Sequence, residues 1–150
     1  MTNRHIYVPD LAADMAECDA NYLRLRRLFP GMDEKDELHF GIQGHTAEGA
    51  EVNIQVGKRC PFTTMILVEV TSDRDKPFIR WPSLSVRVYH DVKSAEVVQF
   101  ERHRNFRYRY PIPNKQMFAP DEKSQINKFL GELLTHCIEH GHSLEPVAIS

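Results

Sequence analysis

Residues 84–102 read LSVRVYHDVKSAEVVQFER, and the fold follows from how this stretch alternates. Leu84, Val86 and Val88 share one parity, with Ser85, Arg87 and Tyr89 between them. Ala95 and Val97 resume the pattern after the polar run DVKS at 91–94. A period of two marks strands with one buried face, and a polar four-residue break between two such runs marks a hairpin. With DVKS as the turn, His90 opposes Ala95, Tyr89 opposes Glu96, Val88 opposes Val97, and Arg87 opposes Val98. Leu84, Val86, Val88, Ala95 and Val97 then face a core. Ser85, Arg87, Tyr89, Glu96, Val98, Phe100 and Arg102 face the other way. A slip of one residue would mix the two sets, so the apolar pattern selects the register.

The same reading extends upstream. Residues 37–43 and 51–56 alternate polar and apolar around the turn GHTAEG. TTMILVEVT at 63–71 is apolar on both faces and rich in β-branched residues, as a central strand is. A charged loop, DRDK at 73–76, ends at Pro77. The connections are too short for parallel crossovers, so the neighbours are antiparallel.

Helices flank the strands. Leu11, Met15, Cys18, Tyr22, Leu25 and Phe29 recur at spacings of three and four, which predicts a helix over 10–29 with Asp10 as N-cap. Pro30-Gly31 stops it. Ile126, Phe129, Leu130, Leu133, Leu134, Cys137 and Ile138 form the apolar face of a second helix over 121–140, with Gly141 as its stop. The fold class is therefore α+β. The expectation is a single two-layer domain over 1–150: an antiparallel sheet of about five strands with an N-terminal and a C-terminal helix packed on one face. Residues 1–9 are read as an arm and 142–150 as a tail.

Composition limits the function. A chain of 150 residues with 41% apolar and 27% charged residues can build a sizeable core. Its net charge of −2 gives no bulk attraction to nucleic acid or anionic membrane. No apolar run is long enough to span a bilayer, and the N-terminus lacks a signal-peptide core. Three scattered cysteines without CxxC spacing fit neither a disulfide framework nor a zinc ribbon, which makes a reducing cytoplasm the expected compartment. No metal or cofactor is expected. There is no Walker A loop, no G-x-G-x-x-G and no G-x-S-x-G elbow.

Charge is unevenly placed. Residues 80–110 carry seven Lys/Arg against three Asp/Glu, while residues 1–60 carry seven against ten. On the face away from the core, Arg87 and Glu96 become diagonal neighbours, flanked by Tyr89 and Phe100. As a structural pair they contribute roughly 0.2–1 kcal/mol. As a site, Arg87 is an anion fork and the rings are stacking surfaces. The candidate ligand-binding set is Arg87, Tyr89, His90, Asp91, Glu96 and Phe100, with Arg107, Tyr110, Asn114 and Lys115 from the segment that follows.

Three other readings compete. His90 and Asp91, with Glu96, form a candidate acid/base group for a small hydrolase-like enzyme, although adjacent strand residues point to opposite faces. Arg102, Arg104, Arg107 and Arg109 interleave with Phe106, Tyr108 and Tyr110, a pattern suited to single-stranded nucleic acid, but no recognition-module signature accompanies it. A protein–protein adaptor would use the same exposed loop. His136 and His140 share a helical face without the HExxH pattern.

VRVYHD, then AEV, YPIPNK, DEKSQINKFL and CIEHG together resemble the YqiB-like family of small uncharacterised bacterial proteins. The resemblance is clearest over residues 80–141, and YPIPNK departs from the family's shorter Y-P-N-K. It implies a bacterial protein of unknown function and brings no activity or catalytic residues. The expectation is a non-catalytic binding or regulatory protein whose partner is a small anionic ligand, such as a nucleotide, or another protein.

Overall fold

The structure, a computed structural model, describes residues 10–43, 49–72, 83–101 and 120–142. The elements run α1 (Leu11–Leu28), β1 (Glu37–Gln43), β2 (Gly49–Arg59), β3 (Thr63–Ser72), β4 (Ser83–Tyr89), β5 (Ser94–Glu101), α2 (Pro120–His140) and β6 (Gly141–His142). The strands form one antiparallel sheet in the order β5-β4-β3-β2-β1-β6. The α+β architecture, the two helices and the antiparallel pairing agree with the sequence reading. The sixth strand is additional. Gly141 does end α2, but it then pairs with Ile42, and His142 pairs with Gly41.

One parity of every long strand is buried. Phe40, Ile42, Val52, Ile54, Ile66, Val68, Val70, Leu84, Val86, Val88, Ala95 and Val97 join Leu25, Phe29 and Met32 and the α2 residues Leu130, Leu133, Leu134 and Cys137 in one core. α2 touches the sheet at β5 and again at β1 and β6, and α1 lies against α2 and β5. β3 is central, as expected, but only Thr64, Ile66, Val68 and Val70 of its apolar run are buried. Met65, Leu67 and Glu69 are half-buried on the opposite face.

The helices are held by polar groups whose roles do not show in a hydropathy pattern. The Asp10 carboxylate accepts from the Ala13 amide at 3.0 Å, the N-cap bond expected. The α1 stripe narrows, however: Leu11 and Met15 are 70% and 58% exposed, and burial is complete only further along, at Leu25. Asn21, off that stripe, is fully buried and donates to the Asn127 carbonyl at 3.0 Å. The Asn127 side chain accepts from the Val97 amide at 2.8 Å and donates to the Lys123 carbonyl at 3.0 Å. One asparagine thus ties α2 to edge strand β5 and satisfies a buried backbone donor. Gly131 allows the helices to approach. A Cβ there would press on the Glu17 carboxylate and lie 2.7 Å from an Arg24 guanidinium nitrogen.

The β4–β5 hairpin differs from the expected register in two ways. Tyr89 pairs with Ser94, Val88 with Ala95 and Arg87 with Glu96, so the loop is HDVK rather than DVKS. The shift is by two residues, and a period of two keeps these side chains on their expected faces. Lys93, at φ 55°, supplies the left-handed residue that closes the loop. Further along, Ser85 pairs with Gln99 but Val86 pairs with Val97, leaving Val98 as a bulge. An extra residue inverts the parity beyond it. Phe100 therefore pairs with Leu84 and packs against the core rather than standing beside Arg87.

Candidate functional site

The face opposite the core carries three rows of side chains across the sheet. Met65, Arg87 and Glu96 form one row by direct strand pairing. Gln55, Leu67, Ser85 and Gln99 form the next. His39, Asn53 and Glu69 form the third, with the Ser83 hydroxyl 3.5 Å from Glu69 Oε2. Tyr89 sits beside the first row, two residues from Arg87. Among the described residues, the helices pack on the other face.

Arg87 and Glu96 are thus directly opposite rather than diagonal, yet they do not form an ion pair. Both Glu96 oxygens are engaged elsewhere. Oε1 accepts from the Tyr89 hydroxyl at 2.8 Å, and Oε2 lies 3.0 Å from Lys123 Nζ. Lys123 comes from the start of α2 and reaches round the β5 edge. Burial raises the Tyr89 pKa first, its bond to Glu96 raises it further, and the neighbouring Arg87 guanidinium offsets part of this. The phenol therefore stays protonated and fixed, with Arg87 exposed beside it. Cys18 of α1 is close to the same carboxylate. Burial, aided by Glu96, pushes its thiol up to about 11, so it is no nucleophile at neutral pH.

The remaining residues of the expected set divide. His90 lies on the helix side: its Nε2 is 2.8 Å from Thr64 Oγ1 and its ring meets Tyr22 edge-on at 6.2 Å. Asp91 caps the turn by accepting from the Val92 amide at 2.9 Å. His90, Asp91 and Glu96 therefore do not converge on a common point. Phe100 has left the face through the bulge. Arg107, Tyr110, Asn114 and Lys115 lie outside the described residues, as do Arg102 and Arg104.

Sequence reasoning missed Lys123, which is distant along the chain, and the second face of β3. A signal for that face was present: Glu69 is a carboxylate inside the otherwise apolar TTMILVEVT, so Met65, Leu67 and Glu69 share a parity that is not all core. Two grooves occur elsewhere. One, of about 380 Å³, is lined by Leu28, Leu38, Phe40 and Ile138 with Arg27 and His142. The other, of about 490 Å³, runs between the helices beside Glu17, Arg24, Gly131 and His136. Neither is lined by Arg87; among the described residues no helix packs over the Arg87 face.

Residues 24–143 match the family described as "Protein of unknown function (DUF1249)". The chain belongs to that family. It is also 35% identical over 144 residues to the uncharacterised protein YqiB of Escherichia coli, covering 94% of this chain and 97% of YqiB, with the same figures in each of three strains. The resemblance first seen in VRVYHD and its neighbours thus extends over nearly the whole chain. No solved structure matches it. As a member of a family without an assigned activity, the chain receives no site residues from its relatives. No helix of the described residues is long and apolar enough to cross a membrane.

Proposed function

We propose that this family member is a non-catalytic binding or regulatory protein that recognises a small anionic ligand on the open sheet face, with Arg87 as the anion contact. One observation carries the reading. Arg87 is exposed in the middle of a strand row, and Glu96, the carboxylate directly across from it, has both oxygens committed to Tyr89 and Lys123. The guanidinium charge is therefore not neutralised by its nearest cross-strand acid. Tyr89, anchored to Glu96 through its hydroxyl and next to the guanidinium, braces it and limits its rotamers. A braced planar fork beside half-buried Met65 and Leu67 suits a molecule with an anionic end and an apolar ring, and nucleotides are the commonest such class. The described residues of this face form a surface rather than an enclosure, and a surface holds ligand less tightly than a cavity, so binding is best sought up to millimolar ligand.

A thermal-shift panel of nucleotides tests this. The expected result is a rise in melting temperature for wild type with at least one nucleotide, lost in Arg87→Ala. If every nucleotide stabilises wild type no more than Arg87→Ala, the reading fails.

One observation favours a second reading, a protein–protein adaptor. Phe62 and Val92 are each 65% exposed on turns joined by the His90 amide to Phe62 carbonyl bond of 2.8 Å. That reading predicts a stable partner in a pull-down that is lost in Phe62→Ser, with Arg87→Ala retaining it.

A further inference from the structure

The third row of the open face has an imbalance of hydrogen-bonding groups. Asn53 and Glu69 are cross-strand partners. The Asn53 Oδ1 atom is enclosed and has no hydrogen-bond donor. Glu69 is half-buried and, ionised, is an acceptor on both oxygens. Among the described residues its hydrogen-bond donor is the Ser83 hydroxyl, at the long distance of 3.5 Å. Two acceptors thus stand side by side with a shortage of donors, and the broad terminal torsion of asparagine lets its amide turn outward. His39, the neighbour on the far side of Asn53, is engaged with Glu51 at 3.0 Å.

Spacing connects this pair to Arg87. Glu69 and Met65 are four residues apart on β3, about 13 Å at the rise of an antiparallel strand. Met65 is the direct partner of Arg87, and Leu67 lies midway with Gln55 and Ser85 on its flanks. The platform therefore has a cation at one end, an apolar floor of Met65 and Leu67 in the middle, and paired acceptors at the other end. Its length is that of an extended nucleoside monophosphate.

The base that matches paired acceptors must present adjacent donors. Guanine does, through N1–H and the exocyclic N2 amino group. Adenine places an acceptor nitrogen beside its amino group, and cytosine does the same, so a carboxylate repels that position. Uracil and hypoxanthine offer a single ring N–H on this edge. Resting on the anion-binding role of Arg87, we infer that the ligand is a guanine nucleotide. Its phosphate lies on Arg87, its base over Met65 and Leu67, and its N1–H and N2 donors on Glu69 and Asn53. These two residues set specificity, while Arg87 gives affinity common to all nucleotides.

Isothermal titration of the full chain with GMP, IMP and AMP tests this, in wild type, Glu69→Gln and Arg87→Ala. Wild type is expected to bind GMP about tenfold or more tightly than AMP, the worth of a charge-assisted hydrogen bond, with IMP between. Glu69→Gln should weaken GMP and, by removing the carboxylate that repels adenine's ring acceptor, leave AMP no weaker than in wild type, so that the two nucleotides bind alike; retained AMP binding shows that the face is intact. Arg87→Ala should weaken all three nucleotides alike. Equal GMP and AMP binding to wild type, with both weakened by Arg87→Ala, overturns the guanine assignment and leaves the anion site standing. That comparison does not depend on the Glu69 variant folding. Binding unchanged in Arg87→Ala, or no binding of any nucleotide, overturns the anion site and the guanine assignment with it.

Discussion

Asn127→Ala isolates the bond that holds α2 to the edge of the sheet. Wild-type Asn127 is 5% exposed and its Oδ1 accepts from the amide of Val97, itself fully buried, at 2.8 Å. Alanine leaves that amide without a partner where water does not reach. An orphaned buried donor costs about 1–3 kcal/mol. The second bond, Asn127 Nδ2 to the Lys123 carbonyl at 3.0 Å, adds little, because that carbonyl also lies in the helix ladder. Alanine is the better helix former by about 0.5 kcal/mol, which offsets part of the loss. The net expectation is a destabilisation of about 0.5–2.5 kcal/mol, and at this chain length a melting temperature lower by roughly 1–10 °C. Calorimetry reads the first quantity, and hydrogen exchange at the Val97 amide reads the cause. Exchange at Val97 should accelerate more than at Val86, on the interior strand β4 and paired with Val97 in the ladder. Lys128→Ala, next door but exposed, is the control and should stay within about 0.5 kcal/mol of wild type. An unchanged melting temperature with Val97 protected as before would refute the clamp.

Two further outcomes follow from packing and burial. In Gly141→Ala the new Cβ meets the Cys137 backbone carbonyl oxygen and comes within 3.3 Å of the Phe40 ring, so backbone must move. The variant should lose about 1–3 kcal/mol in urea unfolding, and a stability equal to wild type would show that the α2–β6 junction gives easily. Burial holds Cys137 up at about 12, and burial with Glu96 holds Cys18 up at about 11, whereas Cys60 is exposed. At pH 8 an aromatic disulfide reagent should therefore titrate one thiol quickly and the other two only on unfolding; three equal rates would contradict the burial. Because the folded pKa values are raised, the stability these thiols contribute is complete below their unfolded value near 8.5 and is lost as pH rises towards 11 to 12. The melting temperature should accordingly fall above pH 9, and less steeply in Cys137→Ala measured against its own neutral-pH value.

Strand parity was legible because each β residue has only two choices of side. Arg87, Tyr89 and Glu96 therefore land on the face expected of them even though the turn sits one residue earlier than DVKS. The Val98 bulge was not legible. V-V-Q-F holds no glycine or proline to mark it, and the extra residue carried Phe100 to the other side. The helix stripe over-predicted burial at Leu11 and Met15, since periodicity shows which side faces inward but not where the neighbouring element ends. Asn21 and Asn127 read as surface residues; they are buried because a helix pair and a sheet edge brought complementary amides together, a property of tertiary contact alone. Lys123 meets Glu96 for the same reason. Of the basic stretch 80–110 only residues 83–101 are described, so the anion site rests on Arg87 and its braces rather than on the arginines that follow.

A nitrogen-15 NMR titration of the assigned protein with GMP tests the central claim most directly. The account predicts that the perturbed amides and arginine Nε signals cluster at Met65, Leu67, Glu69, Ser85 and Arg87, with the α1–α2 groove around Gly131 and the β1 groove around Phe40 silent. Shifts confined to either groove, or a spectrum unchanged up to millimolar ligand, would contradict it.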